Sequence, residues 1–264
     1  MTYTHGHDPS VLESHRNRTI ANSAAYAEEY FVPGADVLDI GSGPGTITAE
    51  IAQRVAPGQV VAVEINDAAA AVTSTELSRQ QVTNARVVTG DVHNLDLPDE
   101  SFDVVHAHQV LQHVSDPVGA LGEMGRVCRT GGVIAVRDSD YGRFEWGPRS
   151  GELDEWLRLY SAAARANGGE PDAGRYLETW ARAAGFGDAT ANRSAWEYRT
   201  PEQCAWWGGM WAVRILKSDL TQQLLREQRA TREELEDISA GWRRWAATDG
   251  AWFVVHHNEI LVRK

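Results

Sequence analysis

Residues 41–45, Gly41-Ser42-Gly43-Pro44-Gly45, have the types that let a ligand reach bare backbone. Glycine has no Cβ and accepts left-handed backbone angles, so a loop of alternating glycines turns tightly and presents its N–H groups. The phosphate-gripping pattern GxxxxGK[ST] needs a lysine that is absent here. The dinucleotide pattern GxGxxG needs a glycine where Thr46 stands; the third glycine comes one residue early, at Gly45, and the spacing is GxGxG. Glu64 ends an apolar run about 20 residues further on, where an ionised carboxylate offers two acceptor oxygens to a ribose diol. Gly90-Asp91 closes the next run. Asp91 stands where it can accept from an adenine amino group, with the Val92 N–H meeting a ring nitrogen. Each has a plainer role too: Glu64 as a solvated strand-end charge, Asp91 as a turn cap.

The elements that must position these residues follow from periodicity. Residues 10–32 read as a helix ended by Pro33-Gly34. Strands are expected at 35–40, 59–65, 85–90 and 101–109, and a fifth from Gly131-Gly132 onward. Helices are expected at 44–56, at 68–83 with Asp67 as cap, and from Asp116-Pro117 to Cys128 with Asp116 as N-cap. Short Val/Ile runs alternating with helices indicate parallel βαβ units buried on both faces. Residues 151–184 read as two helices around NGGEPDAG, 188–199 as a strand, 201–248 as helical, and AWFVVHHNEILVRK as a closing strand.

Composition narrows the function. The 264 residues carry a formal net charge of −12 and are 42% hydrophobic, which allows an extended core and disfavours nucleic-acid binding. Two distant cysteines, Cys128 and Cys204, give no disulfide framework or zinc motif, and no apolar run reaches membrane-spanning length. A cytoplasmic protein with no membrane insertion is expected. All ten tryptophans follow residue 145. The first half is rich in Gly, Ala and Val, so the two halves are expected to do different jobs.

Taken in order, VLDIGSGPG, VVAVEIN, VTGDVHNLDLPDESFDVVHAHQVLQHV and RVCRTGGVIAVRD resemble the successive motifs of class I S-adenosylmethionine-dependent methyltransferases. LPDESFDVV followed by VLQHV is most similar to the ubiquinone/menaquinone-biosynthesis group, methyltransferase type 11. The resemblance covers roughly residues 14–138. It implies an α/β fold: a Rossmann-like seven-stranded sheet of order 3-2-1-4-5-7-6, strand 7 antiparallel, with helices on both faces and a helical, Trp-rich insertion before the last strand. One methyltransferase domain would span residues 1–264. Its parts would be an N-terminal helical cover (1–34), a cofactor-binding half (35–138), a substrate-side half (139–250) with the insertion at about 201–248, and a final strand (251–264). By the same resemblance, Asp39 and the backbone at Gly41, Gly43 and Gly45 would face the amino-acid end of S-adenosylmethionine. Glu64 would hold its ribose, Ile65, Asp91 and Val92 its adenine, and Gln109 would line the methionine part. In the segment SHRNRTIANSAAYA, Arg18 would pair with the cofactor carboxylate and Tyr26 would cover it.

Methyl transfer from a sulfonium chiefly needs two molecules held in line with water excluded. A base is required only if the acceptor must lose a proton. His113, after the fourth strand, and Asp138, after the fifth, are the candidates, with Asp140 beside them; their plain alternatives are loop packing and turn fixing. The remaining histidines are scattered and no metal is expected, the Asp138/Asp140 pair being the one feature that resembles a metal-dependent arrangement. The tryptophan-rich stretch with Trp206, Trp207, Met210 and Trp211 is the candidate cover for an apolar or aromatic small-molecule acceptor, or else a core between insertion helices. The motif of nucleic-acid amino methyltransferases is replaced by HAHQVL, and an arsenite enzyme would need more cysteines. An NAD-dependent oxidoreductase and a non-catalytic cofactor-binding protein remain the alternatives. The sequence leaves oligomeric state open.

Overall fold

The computed structural model describes residues 15–264. Five parallel strands come first: β1 (Val37–Ile40), β2 (Val60–Glu64), β3 (Ala85–Thr89), β4 (Phe102–His108) and β5 (Cys128–Ser139). Every residue of β1 and β2 is buried, which is why they read as unbroken apolar runs. Helices α1 (Thr46–Val55), α2 (Asp67–Arg79) and α3 (Pro117–Val127) make the crossovers. Asn66, not Asp67, caps α2: its side chain accepts from the Ala69 N–H at 3.0 Å. Asp116 caps α3 by accepting from the Gly119 N–H, with Pro117 in the first turn.

The second half begins with the three-residue β6 (Glu145–Gly147), then α4 (Gly151–Ala166) and α5 (Leu177–Ala183). Strand β7 (Ala189–Tyr198) precedes the insertion, which holds α6 (Pro201–Lys217), α7 (Asp219–Arg226) and α8 (Arg232–Ala246). Reciprocal capping boxes, Thr200 with Gln203 and Thr231 with Glu234, start α6 and α8. Strand β8 (Trp252–Arg263) closes the chain. It runs antiparallel to both β5 and β7, and the sheet order is β3-β2-β1-β4-β5-β8 with β7 on the far edge of β8. This is the expected order, with one addition. β8 outruns the register of β5, and β6 pairs at residues 252–254 with the edge that β5 leaves open.

The N-terminal segment departs from the expected single helix. Residues 1–14, including the start of the 10–32 helix and of the cover, lie outside the described residues. Beyond them a π-helical turn (Ile20–Ala24) and a 3-10 stretch (Ala25–Tyr30) replace a regular helix. Thr19 is extended and caps the first turn, and Ala24 at φ −137° breaks the path between the two. Tertiary anchoring sets this shape: the Ile20 N–H donates to Glu50 Oε2 of α1 at 2.6 Å, and Ile20, Ala24, Ala27 and Phe31 bury against α1 and the sheet.

Two further cores complete the packing. One places α3 and α5 against the other sheet face through Leu121, Met124 and Leu177. The other joins α4, α6 and α8 around Trp156, Trp211, Trp242, Trp245 and Phe253. Among the described residues no helix is long and apolar enough to cross a membrane.

Candidate active site

The glycine loop joins β1 to α1 at the C-terminal edge of the sheet. Gly41, Gly43 and Gly45 have φ of +66°, +56° and +85°, angles at which a side chain is strained. A Cβ on Gly41 would stand 2.5 Å from Val110 Cγ2, so this glycine is also required by packing against the end of β4. A Cβ on Gly43 would meet nothing within 4 Å. The space over Gly43 is open, as a cradle for a ligand must be. Thr73 of α2 steadies the loop by donating to the Gly43 carbonyl at 2.7 Å.

Glu64 turns onto this loop. Its Oε1 accepts from the Gly43 N–H and, at 3.3 Å, from Ser42 Oγ. Burial pushes its carboxyl above the usual range, against the pull of the Gly43 hydrogen bond. Next to it Ile65 is 44% exposed, an apolar side chain presented to solvent beside a polar cradle. Asp91 is exposed and holds a turn by accepting from the His93 N–H (3.0 Å) and facing His93 Nδ1 (2.6 Å), which lowers its pKa; Val92 is buried. These residues fit a nucleoside: a carboxylate at backbone N–H groups, an apolar face and a second carboxylate lie along successive strand ends.

Asp39 is buried beneath the loop. Its oxygens accept from Thr48 Oγ1 (2.6 Å) and meet His106 Nδ1 (2.8 Å). Its side chain therefore fixes β1, β4 and α1 to one another, and only its backbone lies along the loop.

At the end of β4, Gln109 has φ +55° and is held by its side chain. Its Oε1 accepts from Arg18 Nη2 at 2.5 Å, and its Nε2 donates to Ser139 Oγ at 2.7 Å and faces His257 Nε2 at 2.9 Å. Burial, with the charges of Arg137 and Arg18, drives the His257 pKa well down, so the ring is neutral and accepts. Arg18 and Gln109, expected as separate contacts, are thus one unit.

The two proposed bases differ in what the structure gives them. Asp138 is fully buried, and its oxygens accept the Leu111 and Gln112 N–H groups at 3.3 and 3.1 Å. It holds the turn after β4 and is not among the residues that line the aromatic cavity beside Gln109. Burial raises its pKa to about 7. Asp140 is likewise buried and paired with Arg175. His113 does line a cavity, but burial and then the Arg18 charge push its pKa down to about 3, which makes it a weak base. Among the described residues no three His, Cys, Asp or Glu side chains stand together as a metal site.

That cavity has a volume of about 50 Å³, and it opens beside Gln109 and Arg18. Tyr141 and Phe144 wall it from the turn after β5, Trp196 and Tyr198 from β7, and Trp206, Trp207, Trp211 and Arg214 from α6. The tryptophans thus divide: Trp156, Trp242 and Trp245 are core, whereas Trp206 and Trp207 also wall the cavity. Tyr198 stacks on Trp207 with ring centroids 4.5 Å apart. Sequence reasoning missed Tyr141, Phe144, Trp196, Tyr198 and Arg214. A signal existed for two groups: Trp196 and Tyr198 alternate onto one strand face, and Arg214 falls at helical spacing from Trp207 and Trp211.

A mostly parallel sheet with a glycine loop after β1, an acidic end to β2 and an antiparallel last strand defines a Rossmann-like α/β protein whose strand ends suit a nucleoside. Comparison with known proteins makes the class specific. A methyltransferase-domain family model matches residues 32–185. An uncharacterized methyltransferase of Schizosaccharomyces pombe is 31% identical over 273 residues, covering 100% of this chain and 97% of the relative. A ubiquinone/menaquinone biosynthesis C-methyltransferase of Idiomarina loihiensis is 39% identical over 105 residues, 39% of this chain and 42% of the relative. The YcgJ protein of Bacillus subtilis superposes with a TM-score of 0.59 at 17% identity, covering 91% of this chain and 97% of that one. The chain belongs to the methyltransferase-domain family. It is a class I methyltransferase related to the ubiquinone/menaquinone type, and its cofactor is S-adenosylmethionine. This displaces the oxidoreductase alternative.

Proposed function

We propose that the enzyme methylates a carbon or oxygen of an apolar, aromatic small molecule held in the cavity beneath the insertion. The observation that carries this reading is the cavity's position. Gln109 and Arg18 line it, and Val110, the next residue, packs on Gly41 of the cofactor loop.

Under this reading the backbone at Gly41, Gly43 and Gly45 takes the amino-acid end of the cofactor, with Asp39 fixing that loop from below. Glu64 takes the ribose; Ile65, Asp91 and Val92 take the adenine; Arg18 and Gln109 take the methionine end. When bound, the cofactor supplies an electrophilic methyl group on a positively charged sulfur. The protein's own work is to hold the acceptor in line and keep water out, which suits aromatic walls. His113 would bound the acceptor rather than take its proton. Residues 35–138 would serve the cofactor and 139–250 the acceptor, as parts of one domain closed by the last strand. A small acceptor suits a chain of net charge −12 better than a nucleic acid does. The two buried free thiols suit a reducing cytoplasm.

The test is calorimetric titration with S-adenosylhomocysteine, with NAD as control, followed by methyl transfer to a panel of phenols, quinols and aliphatic amines. Micromolar binding of the first ligand alone, and turnover confined to the aromatic acceptors, is expected. Turnover confined to the amines would overturn the acceptor assignment.

A further inference from the structure

Gln112 stands in the Leu111–His113 turn after β4, 3% exposed, and lines the cavity beside Gln109. Its backbone is held from two sides. The N–H donates to Asp138 Oδ1 at 3.1 Å, and the carbonyl accepts from the Glu170 N–H at 2.9 Å. Gly169 packs so closely that a Cβ there would stand 2.6 Å from that carbonyl. The side-chain Nε2 faces His113 Nε2 at 3.0 Å; burial keeps that ring neutral, so its nitrogen accepts. This leaves Oε1, a buried acceptor with no partner among the described residues. Trp207 of α6 supplies the opposite group. It lines the same cavity, is 7% exposed, and is fixed by stacking on Tyr198. Its Nε1–H is a buried donor, again with no partner among the described residues.

Folded proteins pair nearly all of their buried polar groups, because an unpaired one has lost its water for nothing. Here an acceptor and a donor stand open in the lining of one cavity of about 50 Å³, room for a polar substituent. A hydroxyl meets both, since it donates one hydrogen bond and accepts others. An aromatic amine donates but accepts poorly, an ether or carbonyl only accepts, and an alkyl group does neither. Resting on the methyl-transfer reading above, we propose that Gln112 and Trp207 form a hydroxyl-recognition subsite. The acceptor is a hydroxylated aromatic molecule whose O–H donates to Gln112 Oε1 and whose oxygen accepts from Trp207 Nε1–H. The pair selects and orients the hydroxyl and takes no proton from it. Selection works largely by rejection: an analogue without the hydroxyl leaves both protein groups buried and unpaired.

Matched probes that differ in one substituent test this: phenol, aniline and toluene, and the larger 2-naphthol and 2-methylnaphthalene. Each is titrated onto the intact protein, with and without S-adenosylhomocysteine, and binding is read from the NMR signals of the probe. Phenol is expected to bind at least about tenfold more tightly than toluene or aniline, and 2-naphthol than 2-methylnaphthalene. Gln112→Met and Trp207→Phe each keep an apolar side chain of similar shape and remove one polar group, and each should cut that preference about fivefold. Should Gln112→Met fail to fold, Trp207→Phe reads the same preference from the insertion. Equal or tighter binding of the methyl or amino probes, failure of every probe to bind, or a preference that survives both substitutions overturns the proposal. A protein that binds S-adenosylhomocysteine but shows no hydroxyl preference sinks the subsite alone. A hydroxyl preference on a protein that does not bind S-adenosylhomocysteine sinks the methyl-transfer reading alone.

Discussion

Replacing Glu64 tests the cofactor assignment most sharply. In the proposed complex its carboxylate accepts two ribose hydroxyls. Hydrogen bonds to a charged group contribute about 1.5–3 kcal/mol each, so the gross gain is roughly 3–6 kcal/mol. The free protein already spends part of this capacity, because Oε1 accepts from the Gly43 N–H and Ser42 Oγ. Giving up or sharing those contacts returns part of the gain, which leaves about 1–3 kcal/mol for Glu64→Ala, or roughly 5- to 150-fold in Kd. Calorimetry with S-adenosylhomocysteine measures this. The raised pKa adds a second signature. The ribose is held by the ionised form, while burial in the free protein favours the protonated form. Binding therefore releases a proton in that window, and affinity rises with pH through it. Glu64→Gln should flatten the profile. A Kd for Glu64→Ala within twofold of wild type would refute the ribose assignment, and an identical pH profile in Glu64→Gln would refute the linkage.

Gly41→Ala and Gly43→Ala separate packing from ligand space. Both incur left-handed strain of about 1–2 kcal/mol. Gly41→Ala adds the clash with Val110 and should show the larger fall in thermal stability, whereas Gly43→Ala should keep most stability and lose at least about tenfold in cofactor affinity, its Cβ standing in the open cradle. Asp138→Asn leaves one of two buried N–H groups unpaired and should cost about 1–3 kcal/mol in urea unfolding. With the Asp138 pKa raised to about 7, the folded protein keeps a proton that the unfolded chain has lost. Wild-type stability therefore falls as pH rises from the ordinary carboxylate range to about 7, and the gap to the variant should narrow over that window. Trp242→Ala removes a fully buried ring that meets Trp156 at 5.0 Å and Phe253 at 5.7 Å; a loss of about 3–5 kcal/mol in urea unfolding is expected for a core position.

The strands that carry the cofactor side were legible because burial on both faces leaves one pattern. VVAVE and FDVVHAH are continuous runs ended by a charge or a turn, and local sequence is enough to find them. β5 is longer than its run suggested. It starts at Cys128 because the chain leaves α3 directly into pairing with β4, and Gly131-Gly132 lies inside the strand rather than before it. β6 has only three residues and pairs with the edge of β8 that β5 leaves open before His257. The N-terminal segment has helix-forming composition, but contacts with Glu50 and the sheet override it.

The site divides along the same line. Gly41, Gly43, Gly45, Glu64 and Gln109 occupy strand ends, and a strand end fixes where a residue stands. It does not fix where a side chain points, and Asp138 shows the difference: its place at the sheet edge is the one expected, but its carboxylate turns under the Leu111–His113 turn. Trp196 shows why the cavity wall was harder still. Its indole N–H donates to the Asn22 carbonyl at 2.6 Å. Its ring lies 5.6 Å from Arg18, 4.9 Å from Arg137 and 4.4 Å from His257. Those four partners come from the N-terminal segment, β5 and β8, so no local periodicity around residue 196 carries the information. Arg18, on the same segment as Asn22, also bonds Gln109, and Ile20 bonds Glu50 of the helix behind the glycine loop. One short, irregular stretch therefore touches α1, the end of β4 and the Trp196 wall of the cavity. A regular helix through residue 19 would present one repeating face, whereas these three contacts point in different directions, and the break at Thr19 lets a single segment meet all of them.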